Sequence, residues 1–142
     1  MRSTTNSTTH LLLAMFLFVV GCGNPNGTVK VAGAVSVGGE RPPGEGTITF
    51  TPVEPAAGFP IRPAMAKFDT DGQYVTTSYE PGDGLVPGSY KVAVECYETP
   101  PNMEGKPVKS FIDKKYINGE TSGFDLVVEP GARPIQFDIA LD

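Results

Sequence analysis

The sequence predicts an all-β fold, a seven-stranded antiparallel β-sandwich, and three observations lead to this prediction. Short segments alternate apolar and polar side chains with a period of two, which is typical of half-buried strands. The 17 Gly and 14 Pro residues are spread along the chain as breaks between those segments. No helical apolar pattern extends beyond a turn or two, so two antiparallel sheets packed face to face satisfy the sequence best.

The first three strands are predicted between residues 28 and 69. In 28–37, valines at alternate positions fall on one face, with Lys30 and small residues on the other. In 46–51, Ile and Phe alternate with three Thr residues. A loop rich in Pro, Ala and Gly follows at 53–62, and 64–69 resumes the alternation.

The next two strands carry the clearest turn signals of the chain. Asp69-Thr-Asp-Gly72 precedes a strand that begins at Tyr74, although its inward face is weakly apolar. Two further turn signals, at 81–84 and 87–88, precede the strand 90–97, which has the cleanest alternation in the chain. These turns join neighbouring strands and favour antiparallel pairing.

The last two strands follow a long connection. Residues 98–123 show no steady periodicity, and connections of this length in compact domains are often functional. Residues 124–129 then alternate, Pro130-Gly131 turns the chain, and 135–142 alternates to the last residue.

Composition and charge exclude several classes of function. The net charge is −5, and Lys114-Lys115 is the only pair of adjacent basic residues, which argues against nucleic acid as a partner. The single His, His10, falls within a predicted signal. A Ser-His-Asp triad, a Cys-His pair and a histidine zinc site are therefore excluded from the mature chain. We expect no enzyme activity and no cofactor.

Residues 1–21 are predicted to be an export signal. The apolar run Leu11–Val20 is too short to span a bilayer, which takes about 20 residues, but it suits a secretory signal. The segment ending in Gly21 and Cys22 resembles the bacterial lipobox. This resemblance implies cleavage between these two residues and lipidation of Cys22. The other interpretation is an ordinary signal cut elsewhere, with Cys22 incidental.

The lipobox resemblance implies a cell-envelope lipoprotein on the periplasmic or outer-surface side of its membrane. Residues 22–27 are then the lipidated Cys and a short flexible tether, and residues 28–142 are the folded domain. Several acyl chains, at about 0.8 kcal/mol per buried CH₂, would hold the protein on the membrane.

Four segments of the domain resemble the carboxypeptidase regulatory-like domain, a transthyretin-like (prealbumin-like) β-sandwich. They are GAVSVGGERP at 33–42, GTITF at 46–50, TDGQY at 70–74 and PGSYKV at 87–92. Together with the lipobox, they make the whole chain similar to small bacterial lipoproteins that carry one such domain. The resemblance implies the sandwich fold but names no ligand, because one fold serves many functions.

Three acidic turn residues, Asp69, Asp71 and Asp83, are the candidates for a calcium site. Carboxylate oxygens are the ligands that Ca²⁺ prefers. The spacing of an EF-hand is not met, however, and Asp-Gly is also an ordinary hairpin turn, so the sequence favours turn formation over metal binding for the three residues.

Two aromatic residues of the long connection, Phe111 and Tyr116, are candidate contacts for a ligand or partner. Exposed rings could stack on a sugar or on another protein. The other interpretation is that both rings fold back and cap the sandwich. Cys96, on the apolar face of its strand, is predicted to be a buried core residue.

These observations favour a non-catalytic structural or protein-interaction module in the cell envelope, anchored through the lipid on Cys22. A second hypothesis is a module that binds polysaccharide or peptide with the loops at one end of the sandwich. An enzyme that uses a carboxylate pair is the third. The expected partners are the membrane and an envelope protein or polysaccharide.

Overall fold

A computed structural model of the protein describes residues 24–99 and 101–142, and they form an all-β domain, as predicted. The predicted signal and the pair Gly21 and Cys22 lie outside the described residues. The strands are β1 Val31–Val37, β2 Gly46–Pro55, β3 Ala64–Phe68, β4 Gln73–Val75, β5 Gly88–Glu95, β6 Asp125–Val128, β7 Ile135–Gln136 and β8 Ile139–Leu141.

The strands form one curled sheet in the order β6-β5-β2-β3-β4-β1-β7, and β8 pairs with β1 beside β7. Along each strand alternate residues turn inward, as in β5, where Tyr90, Val92 and Val94 are buried. Buried side chains from both ends of the sheet belong to one cluster, so the sheet curls around a single core.

The longest pairing of the sheet joins β2 to β5, from Thr47 opposite Glu95 to Pro55 opposite Gly88. Its inner face places the ring of Phe50 edge-on to that of Tyr90, with ring centroids 6.5 Å apart. Aromatic pairs favour this geometry because the positive edge of one ring meets the negative face of the other. The pairing therefore forms the centre of the core.

The last predicted strand differs in detail from the structure. It is divided into β7 and β8 by Phe137 and Asp138, which raises the strand count from seven to eight. Both pieces pair in parallel with β1, so the sheet is mixed, while the other strand pairs are antiparallel. The reason is the connection after β6, which carries the chain from one edge of the sheet to the other.

The long connection 98–123 folds back onto the domain. It contains a 3-10 helix, Lys114–Ile117, whose start is capped by the Asp113 side chain. Tyr116 is buried, and its ring stacks on that of Phe124 with centroids 5.9 Å apart. The Tyr116 hydroxyl also accepts a hydrogen bond from the backbone N–H of Asp142, at 3.0 Å, which fastens the connection to the end of β8.

The segment predicted to be a flexible tether is ordered from Asn24 onward. The backbone N–H of Gly27 donates to the carbonyl of Asn24 at 3.0 Å, closing a turn. The Thr28 hydroxyl donates to the Asp83 carbonyl at 2.7 Å, and the Asn24 amide reaches the same oxygen at 3.3 Å. The turn is therefore part of the folded domain.

Among the described residues, no helix is both long enough and apolar enough to cross a membrane.

Candidate functional site

An open groove of about 830 Å³ lies on the outer face of β1, β3 and β4. Ligand sites commonly have about 300–1,000 Å³. Since side chains alternate along a strand, the residues that line the groove are mainly those opposite the core positions. They include Ala32, Met65, Lys67, Gln73, Val75 and Thr77.

The groove has an aliphatic floor. Met65 and Val75 are each 51% exposed, and both line the groove, so their apolar surfaces lie on the same face of the sheet. The neighbouring strand β1 contributes Ala32, which is small enough to leave room above it. The floor is therefore an apolar surface that is open to solvent.

The rim of the groove is polar and carries both signs of charge. Lys67 and Gln73 lie on the outer faces of β3 and β4, and Glu45 and Asp69 lie at one end. These groups are accessible hydrogen-bonding partners for a ligand. An apolar floor with a few polar groups around it is the usual composition of a binding site.

The three candidate calcium ligands have other roles. Asp69 accepts hydrogen bonds from the backbone N–H groups of Asp71 and Gln73, both at 2.9 Å. Asp83 accepts from the N–H groups of Ser78 and Tyr79, at 2.8 and 3.0 Å. Each carboxylate closes a turn.

Asp71, the third candidate, forms an exposed ion pair with Arg41 at 2.8 Å. The described part of the chain holds no group of three or more His, Cys, Asp or Glu residues that suits a metal ion. The structure therefore does not bring the three carboxylates together at one point.

Phe111 and Tyr116 lie against the core. Tyr116 is only 3% exposed, and Phe111 is half-buried against the core cluster. Lys115 lies over the Tyr116 ring, with its Nζ 4.6 Å from the centroid. Of the two arrangements that the sequence left open, the structure has the one in which both rings pack on the domain. The groove is lined by residues other than Phe111 and Tyr116.

Cys96 is buried, which confirms the prediction, and its thiol is free. Its Sγ lies 3.6 Å from the carbonyl oxygens of Gly44 and Glu45. Burial raises the pKa of the thiol, and a high pKa together with burial makes a thiol unreactive. Cys96 is therefore a core residue.

Two buried tyrosines hold their protons strongly. Burial, with the Asp138 charge as a smaller cause, raises the pKa of Tyr74 well above its usual range. Burial raises the pKa of Tyr90 to about 12. Each hydroxyl donates to a carbonyl, that of Tyr74 to Phe137 and that of Tyr90 to Val86 at 2.5 Å. Both groups are structural donors.

Apart from Asp69, the residues of the groove were not among the sequence-based candidates. The one signal of this groove in the sequence is Met65, a large apolar side chain on the outward face of its predicted strand. Its proximity to Val75 depends on the order of β3, β4 and β1 in the sheet, which the pattern of a single strand does not contain.

Comparison of the chain with known protein families, curated proteins and solved structures found no match.

Proposed function

We propose that the protein is an exported lipoprotein, held on a membrane through lipid on Cys22, whose β-domain is a non-catalytic interaction module of the cell envelope. The observation that carries the interaction role is the groove on the outer face of β1, β3 and β4. Its partner is an extended segment of an envelope protein that covers Met65 and Val75.

The chemistry of the groove favours a polypeptide over a sugar. The large side chains that it exposes are aliphatic, and Met in particular is enriched at protein interfaces. Sugar-binding surfaces depend on exposed aromatic rings, and the aromatic residues that line this groove, Phe68 and Tyr74, are buried. Lys67, Gln73 and Asp69 would pair with the polar groups of a peptide.

The interaction is tested by photo-cross-linking in intact cells. A photo-reactive side chain replaces Met65, and the matched control replaces Val127, which is 61% exposed on β6 at the far edge of the sheet. We expect one defined protein to be captured from position 65 and not from position 127. Capture of the same products from both positions would contradict the proposal.

The anchor is tested separately with Cys22→Ala. The variant loses the thiol that the lipid requires, so we expect it to leave the membrane fraction, as unprocessed or soluble protein. Mass spectrometry of the wild type should find the acyl groups on residue 22. A Cys22→Ala variant that is cleaved and still membrane-bound would refute lipid anchoring.

We also infer that the domain belongs to the carboxypeptidase regulatory-like family. Two features support this proposal. The segment TDGQY forms the turn between β3 and β4 and places Tyr74 in the core. The segment PGSYKV opens β5 and places Tyr90 there. An experimental structure whose strand connections differ from those of transthyretin-like sandwiches would reject this assignment.

Polysaccharide or peptide binding is the second candidate function. The polar rim of the groove, with Gln73, Thr77 and Lys67, is the observation in its favour. A panel of envelope polysaccharides and peptides, titrated against the Cys22→Ala domain by calorimetry, tests it. Saturable binding that Gln73→Ala weakens and Val127→Ala does not would favour this candidate over a protein partner.

A further inference from the structure

The chain is fastened to the domain at Asn24, only two residues after Cys22. The hydrogen bonds from Asn24 and Thr28 to the Asp83 carbonyl hold this point in place. Two extended residues span at most about 7 Å. If Cys22 carries the lipid, the surface around Asn24 therefore lies at the headgroup region of the bilayer.

The same end of the sheet presents the loop Pro55–Pro63. This end, which we call the proximal end, is where β1 and β3 begin and β2 ends, because the pairings of β1 with β4, β4 with β3 and β3 with β2 are all antiparallel. The loop contacts the Asn24 turn directly. A side chain at Gly27 would meet the ring of Phe59 at 2.9 Å, so the ring packs over that glycine.

The composition of this loop suits a lipid surface. Its sequence, PAAGFPIRP, has one charged side chain, the cation of Arg62, and no carboxylate. Ile61 is 66% exposed and Phe59 is half-buried. Apolar side chains with a basic group beside them bind membrane interfaces by combining buried area with attraction to anionic headgroups.

An aromatic side chain extends the same surface. Tyr79 is 38% exposed, and the Arg62 guanidinium lies 3.8 Å above the centre of its ring. Arg62 is fixed there by the hydrogen bond from its Nε to the Ser78 carbonyl, at 2.7 Å. Tyrosine is enriched at membrane interfaces because its ring is apolar and its hydroxyl is polar. The nearby Asp83 carboxylate is engaged by two backbone N–H groups.

The opposite end of the sheet is rich in ion pairs, while the exposed carboxylates of the proximal end, those of Glu54, Glu80 and Glu129, lie outside the loop Pro55–Pro63. The turns of the opposite end carry the exposed ion pair of Arg41 with Asp71. The first part of the long connection adds the exposed pairs of Lys106 with Glu104 and of Lys109 with Glu98. Met103 is the exposed large apolar side chain of this end. The proximal end therefore has a loop with exposed apolar side chains and a single cation, whereas the opposite end has exposed ion pairs.

We propose that the loop Pro55–Pro63, together with Tyr79, docks on the bilayer that holds the lipidated Cys22. This inference rests on the proposed lipid anchor and adds a second contact with the same membrane. The domain is then fixed with its proximal end on the headgroups and its opposite end toward the solvent, instead of turning freely about the lipid.

The test uses the lipidated protein, purified and reconstituted into vesicles of phosphatidylethanolamine and phosphatidylglycerol. An environment-sensitive thiol dye is attached at Ile61→Cys or, as the matched control, at Met103→Cys. The wild type gives the background labelling of buried Cys96. We expect the dye at position 61 to shift its emission to the blue and to be quenched by iodide several-fold less than the dye at position 103.

Flotation separates failure of the anchor from failure of the docking. Protein that does not float with the vesicles and carries no acyl groups would remove the anchor on which the inference rests, and would overturn both. Protein that floats, with dyes at 61 and 103 equally open to iodide, would overturn the docking alone.

Hydrogen exchange on the unlabelled lipidated protein gives a second measurement, free of any effect of the dye. We expect the amides of 55–63 to exchange more slowly in vesicles than in the soluble Cys22→Ala form, while those of 103–110 are unchanged. Equal exchange in both forms would contradict docking. Slow exchange of the loop in concentrated Cys22→Ala protein without vesicles would assign the surface to a second copy of the chain and overturn the proposal.

Discussion

Gly33 lies in β1 at a point where the backbone of Phe137 comes very close. It pairs with Tyr74 across β4, and on its other side lies the break between β7 and β8. The Tyr74 hydroxyl donates to the carbonyl of Phe137, on the far side of β1 from β4. The ring of Tyr74 therefore spans β1 at a residue that has no side chain.

Replacement of Gly33 by Ala should destabilise the domain strongly. A Cβ at this position would lie 2.6 Å from the carbonyl carbon of Phe137, which is backbone and cannot move aside. We expect a loss of about 2–3 kcal/mol in the free energy of unfolding, measured with urea. In the control Gly44→Ala, the new Cβ meets the Phe111 ring at an ordinary 3.4 Å. Equal losses in the two variants would contradict close packing at Gly33.

The domain should lose stability in alkali because the Tyr90 hydroxyl ionises less readily in the folded domain than in the unfolded chain. An unfolded chain ionises tyrosine near pH 10, whereas the folded domain holds this proton until about pH 12. The stabilisation by the neutral hydroxyl is complete below pH 10 and is lost as the pH rises through 12. Urea unfolding as a function of pH, with tyrosinate absorbance as a second signal, measures this loss.

Tyr90→Phe is the matched variant for that measurement. It loses the hydrogen bond to the Val86 carbonyl, so we expect it to be about 1 kcal/mol less stable at neutral pH. Because phenylalanine does not ionise, its stability should decline less steeply above pH 10. Parallel declines in the two proteins would show that Tyr90 is not the group responsible.

At the scale of the elements, the turns were the most predictable parts of the chain. The β3–β4 turn at Asp69–Gly72 lies where the Asp-Thr-Asp-Gly signal indicated, and Gly72 adopts a φ of +81° that other residues rarely adopt. Its carbonyl accepts from Val35, and a Cβ would overlap that neighbour. Local chemistry determines such a turn, so one sequence suffices to predict it.

The side chain of Asp69 should be needed for this turn. Asp69→Ala removes the acceptor of two backbone N–H groups, and we expect a loss of about 1 kcal/mol in the free energy of unfolding. Asp69→Asn keeps an acceptor oxygen and should lose less. Asp71→Asn, which alters only an exposed ion pair, should change the stability least. An Asp69→Ala domain as stable as the wild type would contradict the assigned role.

The last strand marks the limit of what an alternating pattern predicts. Residues 135–142 alternate as one strand, yet Asp138 leaves the ladder and its Oδ1 accepts from the backbone N–H of Ala34 at 2.9 Å. The partner of that carboxylate is more than a hundred residues away along the chain. A contact of this range divides the strand, and it exists only once β1 lies alongside.

At the scale of the whole molecule, β8 closes the core. Ile139 is fully buried and Leu141 is 2% exposed, and both lie beside β1 through the parallel pairing. Removal of Ile139–Asp142 should therefore abolish cooperative folding. Each buried side chain contributes about 2–5 kcal/mol, which together is comparable to the 5–15 kcal/mol of a typical domain.

Circular dichroism and urea unfolding of the truncated protein check this prediction. The control is Asp142→Ala, which loses the exposed ion pair with Lys115 but keeps the backbone N–H that donates to Tyr116. We expect the control to unfold cooperatively near the wild-type midpoint. A truncated protein with a normal unfolding transition would show that β8 is dispensable.

The candidate site was much less predictable than the fold. Met65 and Val75 face outward because of the period of two, which is local information. They become neighbours because β3 and β4 are adjacent in the sheet. That adjacency is not local information. The burial of Tyr116 likewise depends on tertiary contacts. Its ring stacks on that of Phe124, and its hydroxyl accepts a hydrogen bond from the end of β8.

The sequence by itself determined the all-β class, most of the strands, the turns and the inward positions, because period-two alternation and turn chemistry act between near neighbours. The sequence also contains the lipobox-like segment that ends at Cys22, and this resemblance depends only on the types of residue within a short stretch of the chain. Only the tertiary structure decided that β7 and β8 run parallel to β1, that the Asn24 turn belongs to the domain, and that a groove opens over β1, β3 and β4. Those features depend on the order in which distant strands pair, and that order is set by how all the inward faces pack into one core.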